Sequence, residues 1–250
     1  MKTYGLIGYR LGHSFSKRFF TEKFEKENLK DHEYVNFELD SIEEFPGLFK
    51  RHDHLYGLNC TIPYKQQIMP FLDEIHQEAA AAGAVNTIRI IRQAGRQQLI
   101  GYNTDIYGFE HSFRPLLREQ HKKALILGTG GASKAVKYVL NKLQIDFLSA
   151  TTKAEPGSGE IPYQDISVPL LKDFLIVIQT TPLGMFPNTA SCPELPWDAL
   201  TSNHLLFDLV YNPEETLFMK RGRERGATVK GGLEMLHLQA IRSWEIWNED

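Results

Sequence analysis

An apolar strand that runs directly into a glycine loop and then a helix leaves few architectures open to a chain. Residues 124–127 are a continuous apolar run, Gly128-Thr129-Gly130-Gly131-Ala132-Ser133 follows, and helical spacing holds over 132–143. In that context each glycine has a reason. Gly128 permits the tight turn, and Gly130 removes a side chain so that a pyrophosphate can approach the backbone. The helix start then offers unpaired N–H groups and a partial positive charge. Ser133 stands where a third glycine is usual, so the loop by itself also fits an ordinary glycine turn of an α/β domain.

Strand-like and helix-like segments alternate along the whole chain. Apolar runs predict strands over 4–9, 34–39, 55–60, 124–127, 147–150, 175–178, 205–209 and 228–230. Helical spacing predicts helices over 16–29, 42–50, 106–119, 132–143 and 233–247. A hairpin is expected at 84–92 and 97–102, joined through Ala94-Gly95. Such alternation predicts parallel sheets covered by helices on both faces, in two α/β domains linked by a helix. The last helix carries an apolar stripe of Leu233, Leu236, Ala240, Trp244 and Trp247, which leaves Gln239 on a flank expected to be solvated.

Charge and cysteine content exclude several classes. Lys plus Arg is 28 against 31 for Asp plus Glu, with no basic block, so broad binding to nucleic-acid phosphates is not expected. No apolar run approaches the ~20 residues that span a bilayer, and the N-terminal apolar stretch is too short for a signal peptide. Cys60 and Cys192 make neither a disulfide framework nor a zinc quartet, so no metal is expected. The chain reads as cytoplasmic, reduced and without a membrane partner.

Cofactor type in such a fold is set after the next strand, about 20 residues on. There the chain reads Ser149-Ala150-Thr151-Thr152-Lys153, with no acid to bind a ribose 2′-hydroxyl. Hydroxyls and Lys153 suit a 2′-phosphate, which favours NADP and leaves NAD as the alternative. In the first domain, polar residues gather where strands should end: Ser14 and Ser16, Asn59, Thr61 and Lys65, Asn86 and Thr87, then Asn103, Thr104 and Asp105. Ligands of open α/β sheets bind outside the carboxyl ends of the strands. This set of hydroxyl, amide, ammonium and carboxylate groups suits a small polyhydroxylated acid. Each group also has a plainer use: Ser14, Ser16, Thr104 or Asp105 as a helix cap, Asn86 as a turn former, Lys65 as a solvated lysine.

Taken in order, these segments resemble the shikimate dehydrogenase family over almost the whole chain. The landmarks are Gly12-His13-Ser14-Phe15-Ser16, Asn59-Cys60-Thr61-Ile62-Pro63-Tyr64-Lys65, Gly83-Ala84-Val85-Asn86-Thr87 and Gly101-Tyr102-Asn103-Thr104-Asp105. They continue through the glycine loop, Thr180-Thr181-Pro182-Leu183-Gly184-Met185, Asp208-Leu209-Val210-Tyr211-Asn212-Pro213 and Gly231-Gly232-Leu233-Glu234-Met235-Leu236 with Gln239. The resemblance implies an N-terminal α/β substrate domain over 1–104, a Rossmann-type doubly wound domain over 105–231, and a last helix, 232–250, that packs back on the first. It implies reversible NADP-dependent reduction of 3-dehydroshikimate to shikimate, in the pathway to chorismate and the aromatic amino acids. Lys65 and Asp105 match the catalytic pair. Ser14, Ser16, Thr61, Asn86, Asp105, Tyr211 and Gln239 match substrate-holding positions. The cofactor would lie on Gly128, Thr129, Gly130, Gly131, Ala132, Ser133, Thr151, Thr152, Lys153, Thr180, Thr181 and Gly232, and the enzyme would be a monomer or homodimer.

The chain departs from the family in places. The usual Asn-Arg-Thr after the second Rossmann strand is absent, and with it the arginine that would clamp a 2′-phosphate. Gln179 stands where Asn is more common, and Pro156-Gly157-Ser158-Gly159 falls where a helix is common. Three other readings remain open at this point: an NAD-linked quinate or quinate/shikimate dehydrogenase, a non-catalytic sensor of a related acid, and another two-domain dehydrogenase with a catalytic lysine.

Overall fold

The N-terminal strands collect into one sheet because their apolar residues fill two consecutive cores. β1 (Lys2–Gly8), β2 (His32–Glu38), β3 (Leu55–Cys60), β4 (Glu74–Ile75), β5 (Thr87–Gln93) and β6 (Arg96–Tyr102) lie in the order β2-β1-β3-β5-β6-β4. The computed structural model that shows this describes residues 1–12, 14–93, 95–155 and 159–249. His13, Ala94 and Pro156-Gly157-Ser158, which entered the sequence expectations, lie outside the described residues. Helices α1 (Phe15–Lys26), α2 (Phe45–Arg51) and α3 (Gln77–Ala82) connect the strands. One core packs Ile7, Phe45, Leu55, Leu58, Ile68 and Ile88; another packs Tyr4, Phe20, Phe24 and Tyr34.

The expected hairpin is present, and it makes the first sheet mixed. β1 pairs in parallel with β2 and β3, but β5 is antiparallel to both β3 and β6. The physical reason is the hairpin: Gln93 pairs with Arg96, so two residues make the connection, and a connection that short can only reverse the chain. The mixed topology has a useful result. The carboxyl ends of β1, β3 and β6 and the amino end of β5 fall on one edge of the sheet.

The second set of strands follows α4 (Thr104–Phe113), which stops before the 3₁₀ turn Arg114–Leu116 rather than running to 119. Pro115 cannot donate to the helix ladder, which accounts for the early end. β7 (Lys123–Leu127), α5 (Gly131–Lys142), β8 (Asp146–Thr151), β9 (Glu160–Pro162), α6 (Val168–Asp173), β10 (Ile176–Gln179), β11 (Leu205–Asp208), α7 (Leu217–Glu224), β12 (Thr228–Gly231) and α8 (Leu233–Trp247) complete the chain. The sheet order is β12-β11-β10-β7-β8-β9, with every pair parallel. Read from β7, this is the 3-2-1-4-5-6 order of the doubly wound dinucleotide-binding fold, whose ligand crevice opens where the order reverses, between β7 and β10.

The chain divides into two compact units, Met1–Thr104 with Gln239–Asp250, and Asp105–Leu238. The return to the first unit falls within α8 at Gln239, not at 232. Gly232 N–H still donates to Val210 O, and Lys230 still pairs with Glu234, so the first turn of α8 belongs with the second unit. From Gln239 onward the helix lies on the aromatic core: Trp247 packs against Tyr4 and Phe20, and its Nε1 donates to Ile88 O at 3.1 Å.

Candidate active site

In the first unit, the shared sheet edge gathers six of the predicted site residues. Ser14 and Ser16 follow β1, Thr61 and Lys65 follow β3, Asn86 precedes β5, and Gln239 comes from α8. Gly8, the last residue of β1, makes room for Thr61: a Cβ there would sit 2.7 Å from the Thr61 methyl. Lys65 is half-buried, and its carbonyl accepts the Val85 N–H at 2.7 Å, which ties its loop to the strand that delivers Asn86. Ser14 does cap α1, its oxygen accepting from Lys17 N–H at 3.2 Å. A hydroxyl that accepts in this way keeps its proton for another partner, so capping and ligand binding are compatible.

Asn86 is buried rather than a surface turn former. Its Oδ1 accepts the Thr104 backbone N–H at 2.7 Å. A backbone N–H cannot reverse its role, so the amide is fixed with oxygen inward and NH2 as the remaining end. Gln239, expected on a solvated flank, is 7% exposed. The buried face of α8 runs through Met235, Gln239, Ala240, Ser243 and Trp247, so the helix is rotated from the predicted stripe, and Leu233 is exposed. Asp105, half-buried in the first turn of α4, and Tyr211, half-buried in the loop after β11, belong to the second unit.

The glycine loop sits at the carboxyl end of β7. Gly128 has φ +104°, and a Cβ on it would meet Thr181 Cγ2 at 2.7 Å and Thr180 Oγ1 at 2.9 Å, so a side chain is excluded twice over. Gly130 caps α5 without any side-chain cap bond, no acid lies in the first turn, and a Cβ on Gly130 or Gly131 would project into open space. That cradle fits the pyrophosphate of a dinucleotide. Ser133 replaces the third glycine without strain on its hydroxyl, which donates to Gly130 O at 2.7 Å while the side chain is buried. Thr180 donates to Leu127 O at 2.8 Å and Thr181 to Gln179 Oε1 at 2.9 Å. Their hydroxyl protons thus hold the loop, and what they offer a cofactor is shape. At the end of β8, Thr151 is buried and accepts from Lys153 N–H, while Thr152 and Lys153 are exposed. A cation without a neighbouring strand-end acid fits a 2′-phosphate. Gly232 lies against the loop after β11, where a Cβ would overlap the Leu209 carbonyl.

Two residues of this unit carry weight that spacing did not reveal. Gln179 and Asp208 are register partners at the ends of β10 and β11, both 0% exposed. Gln179 holds the next loop through Thr181 and Leu183 O. Asp208 accepts from Val210 N–H at 3.0 Å and from Thr216 Oγ1 at 2.6 Å, which fixes the loop that carries Tyr211. Burial pushes the Asp208 carboxyl up to about 6 despite those two bonds. The signal available in the sequence was a polar residue closing an otherwise apolar strand, which also describes many solvated strand ends.

A six-stranded parallel sheet in this order, with a glycine cradle at its switch point and a second α/β unit bearing a polar edge, defines a two-domain α/β protein with a dinucleotide site. Comparison with known proteins narrows this. Residues 6–88 match the shikimate dehydrogenase substrate binding domain. The chain is 35% identical over 97% of its length to shikimate dehydrogenase (NADP(+)) of Desulforamulus reducens, covering 88% of that protein. The fold is similar to the crystal structure of shikimate dehydrogenase from Aquifex aeolicus, with TM-score 0.85, 30% identity, and 99% of this chain and 92% of that one covered. It is also similar to quinate dehydrogenase from Corynebacterium glutamicum in complex with NAD, with TM-score 0.84, 25% identity, and 99% and 93% covered. The chain belongs to the shikimate dehydrogenase family.

Proposed function

We propose that this protein is an oxidoreductase acting on a CH–OH group, which interconverts 3-dehydroshikimate and shikimate with NADP. The observation that carries the reading is the single sheet edge where four separate segments bring hydroxyl, ammonium and amide groups together, in a chain whose other unit holds a dinucleotide cradle. The 35% identical relative named as NADP(+)-dependent supports the choice of substrate and cofactor. No helix of the described residues is long and apolar enough to cross a membrane.

NADPH, when bound, supplies the hydride. The chain's own task is the ketone oxygen, which becomes negative as the carbon is reduced. Lys65 as an ammonium stabilises that charge and donates a proton from Nζ; in the reverse direction neutral Lys65 takes the hydroxyl proton. Asp105, as carboxylate, accepts from a ring hydroxyl. Ser14, Ser16, Thr61, Asn86, Tyr211 and Gln239 hold the remaining hydroxyls and the carboxylate. The loop 128–133 holds the pyrophosphate, Thr152 and Lys153 meet the 2′-phosphate, and Thr151, Thr180, Thr181 and Gly232 shape the crevice.

Steady-state oxidation of shikimate and quinate with NADP and NAD tests the reading. Shikimate with NADP should give the highest kcat/KM, and Lys65→Ala should lower kcat by about 10²-fold or more with KM little changed. Absence of NADP-dependent oxidation of shikimate by the native protein would overturn it. The missing arginine after β8 favours one second reading, an NAD-linked quinate or quinate/shikimate enzyme, and a kcat/KM that favours quinate with NAD would establish that instead.

A further inference from the structure

Beneath the sheet edge lies a network of buried polar groups. Thr87 of β5, Thr104 at the start of α4 and Ser243 of α8 form a triangle of hydroxyls, with Thr87–Ser243 at 2.8 Å and the other two sides at 3.1 Å. All three are at most 1% exposed. Asn59 Nδ2 donates to Ser243 Oγ at 3.0 Å and to Thr87 Oγ1 at 3.2 Å, and Tyr34 donates to Asn59 Oδ1 at 2.8 Å. At the far end, Thr87 and Thr104 reach Asn86 Oδ1 at 3.2 Å, Thr104 reaches Gln239 Oε1 at 3.4 Å, and Ser243 donates to Gln239 O at 2.9 Å.

The Asn59 end of this network has a direction. Asn59 Nδ2 lies 3.3 Å from the Asn86 carbonyl, which only accepts, so the Asn59 amide cannot flip without setting two oxygens against each other. Its two amide protons, placed on their shortest contacts, occupy Ser243 and Thr87 as acceptors. The protons of Thr87, Thr104 and Ser243 are then shared among their own three contacts, Asn86 Oδ1 and the two Gln239 oxygens. Tyr34 keeps its proton throughout, because burial holds the phenol above its ordinary range.

We propose that Tyr34, Thr87 and Ser243 are positioning residues of the substrate site: they touch no ligand, but through one buried hydrogen-bond network that includes Asn59 and Thr104 they hold Gln239 in place. This rests on the substrate role proposed above for Gln239. Loss of a link lets the Gln239 carboxamide rotate, and apparent affinity then falls in proportion to the fraction still correctly turned. The effect belongs to substrate binding and not to the chemical step.

Four variants test it: Tyr34→Phe, Thr87→Val, Ser243→Ala and, as the conservative control, Thr87→Ser. The first three should each raise KM for shikimate about ten-fold, with kcat and KM for NADP within about two-fold of the native protein. Thr87→Ser, which keeps the hydroxyl, should restore the native KM. An unchanged shikimate KM in Ser243→Ala, an equal rise with Thr87→Ser, or a matching rise in KM for NADP would overturn the proposal. Side-chain amide NMR separates this from the functional reading. In the native protein the Gln239 carboxamide should give one sharp pair of resonances, broadened or doubled in Ser243→Ala. Native protein that shows these signals yet turns over no shikimate would sink the activity alone, and unaltered signals in the variant would sink the chain.

Discussion

At the scale of single residues, this molecule relies on polar side chains that are buried and fully engaged. Asp208 is the clearest case, since desolvation raises its carboxyl from 3.8 to about 6. The folded protein therefore binds that proton more tightly than the unfolded chain does. The stabilisation this gives is complete below about 4 and is lost as pH rises through about 6. The urea midpoint of the native protein relative to Asp208→Asn should accordingly fall between pH 4 and 6 and level off above about pH 7; a difference independent of pH would show that the carboxyl does not titrate there. Asn86 and Gln239 illustrate the limit of sequence at this scale. Their residue types could be read directly, but whether an amide is a surface turn former or a locked recognition group depends on what packs above it. For Asn86 that is the Thr104 N–H, and for Gln239 the Thr104 hydroxyl.

At the scale of elements, close approach decides what fits. Gly57 lies in β3 between β1 and β5, and a Cβ there would overlap the Trp247 indole. Gly57→Ala should cost about 1–3 kcal/mol, read as a lower urea midpoint, because the indole must leave its place and its bond to Ile88 O. A neutral substitution would mean that α8 can shift without loss. α5 and β7 were legible from their residues because local physics defines both: a run of four buried apolar residues, then a turn only glycine can make at Gly128. β4, α3, β9, α6 and α7 were not, being two to eight residues long with too few turns to show a period. The expected helix over 106–119 was overestimated for the opposite reason, because its apolar spacing continued past Pro115.

At the scale of the whole molecule, α8 closes the first unit from the far end of the sequence. Tyr4, Phe20, Phe24 and Tyr34 share a core with Ala240 and Trp247, and the hydroxyl triangle needs Ser243. A chain ending at Leu238 should keep the β7–β12 sheet but leave that aromatic cluster open. It should bind a hydrophobic dye such as ANS strongly and unfold in two steps; a single cooperative transition with little dye binding would show that the first unit folds without the helix.

The amino-acid sequence by itself determined the α/β class, the glycine cradle, the order of the motifs and the chemical types of the site residues. Those follow from interactions between near neighbours along the chain: period, turn chemistry and capping. Tertiary structure alone decided that β5 runs antiparallel beside β3, that the return to the first unit begins at Gln239, and that Asn59, Thr87, Thr104 and Ser243 meet in one buried cluster. Asn59 and Ser243 are 184 positions apart. No local rule links them; they meet because apolar burial brings β3 and α8 together, and once there, each buried polar group must find a partner among the others.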